Sequence, residues 1–273
     1  MGTIAGAMMD MKKAIDYLLA GQPLALATDF DGTLSAITPT PQSARIHPAC
    51  RDSLARLSGE LALVTVLSGR EVEQLRHLVG LEGLVYIGNH GLERWEKNNK
   101  YVEPRAFQYA PVIRNVLGRA RQELKLPGFP FEEKGITASI HYRSAQDPVA
   151  ARKRIASLLR DLAREPGLKV LEGRRVVELR PPLDLNKGTA LLDLLRKYDV
   201  RGVIYAGDDE TDLDAFRAIH RWGIQEERRA LAVGVISPEM PHGLMEESDL
   251  VVEGVKGVAE FLAILAEAFS RNQ

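Results

Sequence analysis

Short apolar runs alternate with segments of helical period along most of the chain. The runs are Leu24 to Thr28, Leu61 to Leu67, Leu84 to Ile87, Val203 to Ala206, Leu231 to Val235 and Leu250 to Val252. Apolar positions recur at helical spacing around Ala49 to Leu57, Glu71 to Val79, Lys187 to Tyr198, Leu213 to His220 and Val258 to Phe269. The strands are apolar throughout rather than at alternate positions, so both faces of their sheet must be covered. That pattern predicts a Rossmann-like α/β core with a parallel sheet, whose ligand sites gather at the carboxyl ends of the strands.

The middle of the chain breaks the alternation. From about Gln108 to Leu183 the order reads helix, strand, strand, helix, strand, strand. The stretch Ile136 to Tyr142 has the imperfect period of two of a half-exposed antiparallel strand. Val170-Leu171 and Val176 to Leu179 flank Gly173 as in a hairpin, and Pro181-Pro182 marks an exit. The prediction is a small inserted α/β domain at 108–183, with the core made from 1–107 and 184–273.

Polar clusters stand at the ends of the predicted strands. Asp29-Phe30-Asp31-Gly32-Thr33-Leu34 follows the first run. Side chains alternate along a strand, so Asp29 and Asp31 leave its end on one side, where a cation would relieve their repulsion. One carboxylate can attack an electrophile while the other moves a proton, although Asp and Gly are also ordinary turn residues. Ser68-Gly69-Arg70 offers a hydroxyl beside helix-start amides that suit an anion, or simply a helix cap. Lys187 opens a helix, where a cation is unfavourable; as a compact charge it suits a phosphate, or it is simply a surface lysine. Asp208, Asp209, Glu210 and Asp212 form a dense acidic group, more than helix capping needs. Oxygen ligands of this kind suit a hard cation, and Mg2+ fits a site of few carboxylates, waters and a phosphate. A nucleophile-type acid, a proton-transfer acid, a hydroxyl, a lysine and a metal-binding acid pair together point to phosphoryl transfer through a carboxylate.

Composition narrows the partners. With 36 basic and 37 acidic residues the formal net charge is -1, which gives no support for a nucleic acid or an anionic membrane as partner. Cys50 is the only cysteine, so no internal disulfide forms. No segment is long and apolar enough to cross a bilayer, and the start to Met11 lacks a signal pattern. The default expectation is a cytoplasmic protein working as a monomer on a small molecule.

Asp29-x-Asp31-Gly32-Thr33-Leu34, Ser68, Lys187 and Gly207-Asp208-x-x-x-Asp212, in this order, resemble the haloacid dehalogenase superfamily of phosphohydrolases. Further segments make the chain similar to trehalose-6-phosphate phosphatases within it. They are Gly88-Asn89-His90-Gly91, Glu132-Glu133-Lys134-Gly135, His141-Tyr142-Arg143, Val177 to Pro181, and Gly207-Asp208-Asp209-Glu210-Thr211-Asp212. The resemblance implies that Asp29 is the nucleophile and forms an aspartyl-phosphate. It implies that Asp31 protonates the departing sugar oxygen and then activates water, which requires Asp31 to hold a proton at the first step. Mg2+ would bind Asp29, Asp208 and the backbone carbonyl of Asp31, with Asp212 and Asp209 behind them. Ser68 and Lys187 would bind phosphoryl oxygens. The inserted domain would be the cap, recognising sugar through Glu132, Lys134, Arg143, Glu178 and Arg180, and Asn89 or His90 would orient the leaving group. The alternatives are another sugar phosphate (sucrose 6-phosphate, mannosyl-3-phosphoglycerate), a phosphomutase, or a non-catalytic sugar-phosphate sensor.

Overall fold

A computed structural model describes residues 10–125 and 129–271. The start of the chain up to residue 9, which lacks a signal pattern in the sequence, lies outside the described residues. Along the chain α1 (Met11–Leu19) precedes β1 (Leu24–Asp29), α2 (Pro48–Glu60), β2 (Leu63–Leu67), α3 (Val72–Val79), β3 (Val85–Gly88), β4 (Glu93–Glu96) and β5 (Asn99–Val102). The middle contributes α4 (Ala110–Leu124), β6 (Phe131–Glu133), β7 (Ala138–His141), α5 (Pro148–Arg164), β8 (Lys169–Gly173) and β9 (Val176–Arg180). The chain then returns through α6 (Lys187–Lys197), β10 (Gly202–Gly207), α7 (Glu210–Gln225), β11 (Arg229–Ile236), β12 (Leu250–Glu253) and α8 (Gly254–Arg271).

The chain divides into two compact units, residues 1–101 with 185–273, and residues 102–184. The expected boundaries at 107/108 and 183/184 differ by a few residues, because the short 3-10 helix Pro104–Tyr109 leads directly into α4. The larger unit is built on an eight-stranded sheet in the order β12-β11-β10-β1-β2-β3-β4-β5. The strands from β12 to β3 pair in parallel, and β4 joins antiparallel to β3. Every residue of β1, β2 and β10 is buried, as their unbroken apolar character requires. Alternate side chains serve two cores. Leu24 and Leu26 face a cluster with α1, α2, α3 and α8, while Ala25 and Ala27 face one with α6 and α7.

This order has a functional consequence. From β1 the sheet grows one way through β2 and β3, and the other way through β10, β11 and β12. The loops after β1 and β10 therefore diverge, and a crevice opens at their carboxyl ends. The motif that begins at Asp29 and the one that begins at Asp208 meet there.

The smaller unit is a four-stranded antiparallel sheet in the order β6-β7-β9-β8. Ala138, Ile140, Val177 and Leu179 pack with Ile113, Leu117, Ile155 and Leu159 of α4 and α5. The opposite face is polar. Glu132 pairs with Ser139, and Ser139 with Glu178, so the three side chains stand in a row across β6, β7 and β9.

Two elements went unpredicted. Helix α1 carries Met11, Ala14, Ile15 and Leu18 at helical spacing behind an Asp10 cap. The β4–β5 hairpin has a charged, half-exposed sequence with little strand character, and turns through Lys97 (φ 49°) and Asn98 (φ 62°).

Candidate active site

Strand β1 ends at Asp29, and the chain turns at once. Ser35 returns to pair with Gly32, whose amide donates to the Ser35 carbonyl at 2.7 Å. Gly32 has φ 95°, and a Cβ there would lie 2.0 Å from Asp208 Oδ2. The Asp-x-Asp-Gly spacing thus serves two needs: the turn takes a left-handed residue, and only a residue without a side chain admits the neighbouring carboxylate. Thr33 Oγ1 donates to Asp208 Oδ1 at 3.4 Å from the same turn.

Asp208 follows β10, the strand beside β1. Asp209 caps α7 and Asp212 completes a capping box with it. Asp212 does more than cap. Its Oδ2 accepts the amides of Asp208 (2.9 Å) and Asp209 (3.0 Å), and its Oδ1 accepts Lys187 Nζ and the Tyr205 hydroxyl, each at 2.7 Å. Lys187 is the first residue of α6, fixed by an Asn186–Thr189 capping box. Its Nζ also donates to Asp29 Oδ1 at 2.6 Å. Lys187 is 2 % exposed and Asp212 fully buried, so the lysine at a helix start answers to carboxylates rather than solvent.

Carboxylate oxygens of Asp29, Asp208 and Asp212 lie within 4.8 Å of one another. Burial pushes the Asp29 carboxyl well above its ordinary value; Lys187 pulls it back, and Asp212 and Asp208 push it further up. Burial alone would lower the Lys187 ammonium, but Asp212, then Asp29 and Asp209, outweigh it and hold it protonated. The Tyr205 phenol is driven far up, first by burial and then by Asp212 and Asp29. One ammonium faces three carboxylates, all hard oxygen donors, so the residues fit a hard divalent cation. Within the set Asp212 has both oxygens engaged by protein donors.

Asp31 goes elsewhere. Its Oδ2 and Oδ1 accept Arg70 Nε at 2.6 Å and a terminal guanidinium nitrogen at 2.7 Å, while Arg70 also donates to the Pro41 carbonyl. Such a two-pronged pair fixes both partners. In this arrangement both oxygens of Asp31 accept, so delivering a proton to a leaving oxygen requires Asp31 to leave the clamp.

Ser68 was expected to open a helix. The helix instead begins at Val72 with Glu71 as its cap residue, and the Val72 amide is taken by buried Glu93 Oε2 at 2.8 Å. Ser68 Oγ accepts the Arg70 amide at 3.2 Å, shaping the loop between β2 and α3. Asn89 and His90 follow β3 with φ 46° and 55°. Their amides donate to the carbonyls of Arg70 and Ser68, and the His90 ring lies against Gly69, so the two loops are laced together.

In the smaller unit Glu178 Oε1 accepts Lys134 Nζ (3.3 Å) and Ser139 Oγ (3.2 Å), and its Oε2 accepts Arg180 Nε (3.1 Å). Glu132 meets His141 Nε2 at 2.9 Å and Lys134 at 3.8 Å. Four of the five expected sugar-recognition residues thus form one network on the polar face. Arg143 donates to the Arg174 carbonyl at 3.5 Å, in the β8–β9 turn.

Sequence reasoning assigned no role to Arg70, Thr33 or Tyr205. Arg70 sits within the quoted Ser68-Gly69-Arg70 motif. Tyr205 is a phenol inside an otherwise apolar buried strand, which is the signal that marks it.

The profile of the trehalose-phosphatase family matches residues 27–237, from the end of β1 through β11. The chain belongs to that family. Curated trehalose-phosphate phosphatases of Mycobacterium bovis and Mycolicibacterium paratuberculosis are 36% identical over 217 residues and 37% over 215, covering 77% and 76% of this chain and 54% of each relative. The chain therefore spans about half the length of the curated relatives it matches. Among solved structures, the C-terminal domain of Candida albicans trehalose-6-phosphate phosphatase superposes with a TM-score of 0.81 at 20% identity, covering 97% of this chain and 99% of that one. A trehalose-6-phosphate phosphatase related protein gives 0.75 at 21%, covering 91% and 100%. These likenesses establish the haloacid dehalogenase-type architecture of a trehalose-phosphatase family member. Among the described residues no helix is long and apolar enough to cross a membrane.

Proposed function

We propose that this chain is a Mg2+-dependent phosphatase that hydrolyses trehalose 6-phosphate to trehalose and phosphate. The observation that carries the reading is the buried array of Asp29, Asp208 and Asp212 around Lys187, at the carboxyl ends of adjacent parallel strands, in a chain of the trehalose-phosphatase family. Asp29 and Asp208 are the residues that would hold the ion, with Asp212 behind them. A bound Mg2+ would neutralise the carboxylates and the developing phosphoryl charge.

Lys187 engages Oδ1 of Asp29, which leaves Oδ2 to attack phosphorus and form the aspartyl-phosphate. Lys187 and Ser68 bind phosphoryl oxygens that gain charge in the transition state. Asp31, released from Arg70, protonates the departing sugar oxygen and then takes the proton from the water that hydrolyses the intermediate. Sugar recognition is assigned to Glu132, Lys134, Arg143, Glu178 and Arg180, whose charged hydrogen-bonding groups suit hydroxyls. Asn89 or His90 orients the leaving group.

The test is phosphate release from trehalose 6-phosphate, sucrose 6-phosphate and mannosyl-3-phosphoglycerate, each with Mg2+ and with EDTA. The reading expects trehalose 6-phosphate to have the highest kcat/KM and EDTA to abolish turnover. Trehalose 6-phosphate among the poorest substrates would overturn the substrate, and no turnover of any phosphomonoester would overturn the enzyme.

A further inference from the structure

Tyr205 stands on β10, three residues before Asp208, and is fully buried. Its neighbours are apolar: it belongs to the cluster of Leu213, Phe216, Ile219 and the small residues of β1, and its ring meets Phe216 edge-on at 5.7 Å with an interplanar angle of 80°. A phenylalanine would satisfy that packing without burying a hydroxyl, which costs free energy unless it is bonded. The hydroxyl has one use. It donates to Asp212 Oδ1 at 2.7 Å, the oxygen that also accepts Lys187 Nζ at 2.7 Å.

The consequence follows from counting donors. Asp212 accepts four hydrogen bonds, two from backbone amides on Oδ2 and two on Oδ1 from Tyr205 and Lys187. A carboxylate has about four such places, so Asp212 is saturated. Lys187 has three N–H groups, of which one goes to Asp212 and one to Asp29. The third is what remains for a phosphoryl oxygen. Without the phenol, Asp212 Oδ1 would have Lys187 as its sole donor, and the ammonium would be drawn toward Asp212 and away from Asp29.

We infer that Tyr205 is a positioning residue for the phosphoryl-binding lysine: its hydroxyl shares Asp212 Oδ1 with Lys187 and so holds the ammonium between Asp212 and Asp29, aimed at the reacting phosphoryl group. This rests on the phosphatase reading above. An ammonium displaced by a fraction of an ångström matters most where charge develops, so the loss falls on kcat and on affinity for transition-state mimics rather than on ground-state binding.

The experiment compares the wild-type chain, Tyr205→Phe and Phe216→Leu, each with Mg2+. Steady-state phosphate release, inhibition by orthovanadate and the thermal unfolding midpoint are measured. Tyr205→Phe should lower kcat about ten-fold or more, the scale of a hydrogen bond to a charged group, and weaken vanadate inhibition by a similar factor. Its KM should stay within about two-fold, and its unfolding midpoint should fall by only a few degrees, because the ring is kept and Lys187 still pairs with Asp212 Oδ1. Phe216→Leu disturbs the ring packing but not the hydroxyl, and should lower the midpoint while leaving kcat within about two-fold. The inference is overturned if Tyr205→Phe keeps kcat and vanadate affinity, if it fails to fold, or if Phe216→Leu loses kcat to the same extent. A wild-type chain inactive on every phosphomonoester would instead sink the phosphatase reading, and this inference with it.

Discussion

Replacing Lys187 with methionine keeps most of the side chain's volume and removes its charge. Nζ lies 2.6 Å from Asp29 and 2.7 Å from Asp212, with all three groups buried. At an effective dielectric of about 20, opposite unit charges about 4 Å apart attract by roughly 4 kcal/mol per pair. Part of that is offset by the burial of the ammonium itself. Removing one partner of a buried pair costs about 3–5 kcal/mol, because the other charge is left uncompensated. Lys187→Met should therefore be less stable by about 3–5 kcal/mol in EDTA, or roughly 6–20 °C in unfolding midpoint for a unit of this size. The variant should also respond more strongly to Mg2+ than the wild type, since a cation would then face the carboxylates without a competing ammonium. Both tryptophans, Trp95 and Trp222, lie in the larger unit, so denaturation followed by tryptophan fluorescence reports on that unit alone. A loss below about 1 kcal/mol in EDTA, or equal Mg2+ responses in variant and wild type, would refute the electrostatic account of this site.

Three further outcomes are expected. Gly32→Ala would place a Cβ 2.0 Å from Asp208 Oδ2 at φ 95°; it should raise the Mg2+ concentration for half-maximal activity at least about ten-fold, and an unchanged Mg2+ titration would contradict the turn's role. Glu178→Gln should lower kcat/KM for trehalose 6-phosphate by roughly ten- to a hundred-fold while sparing p-nitrophenyl phosphate, which has no sugar; equal losses on both would remove the sugar-recognition role. The His220 imidazole is held above its ordinary value, first by its bond to Asp249 and against burial. A raised folded value stabilises fully below the unfolded value of 6.5 and is lost as pH rises through the folded one, so His220→Gln should destabilise more near pH 6 than near pH 9. A gap in unfolding midpoint that stays constant over that range would count against it.

The strand ends that carry the chemistry were legible because two signals coincide there: an unbroken apolar run stops, and residues that a sheet interior excludes begin at once. Asp29 and Asp208 announce themselves in this way, and Lys187 does so as a cation at a helix start. The crossing order was not legible. Nothing local in Val203 to Ala206 says that this strand lies beside Leu24 to Thr28, yet that pairing brings Asp208 to Asp29 across 179 residues of chain. Pairings of that span are fixed by the whole sheet rather than by either strand. The partner of Asp31 was hidden for a similar reason: Arg70 was visible in its motif, but its aim depends on β2 lying next to β1.

The same geometry explains why the site tolerates so concentrated a charge. The carboxylates do not hang on mobile loops. Asp29 is the last residue of a fully buried strand, Asp208 is pressed against a glycine that leaves room for it, and Asp212 is held by two amides of the loop it caps. Groups fixed in this way cannot relax apart, so their repulsion has to be met by a cation at a fixed place. Lys187 meets part of it, and one ammonium against three carboxylates leaves a site whose remaining charge matches a divalent ion and the electron-rich phosphoryl group that such an ion brings. In the proposed function, stability in the resting state and catalysis on a bound phosphate ester would therefore draw on one imbalance, which is why the response of Lys187→Met to Mg2+ tests both.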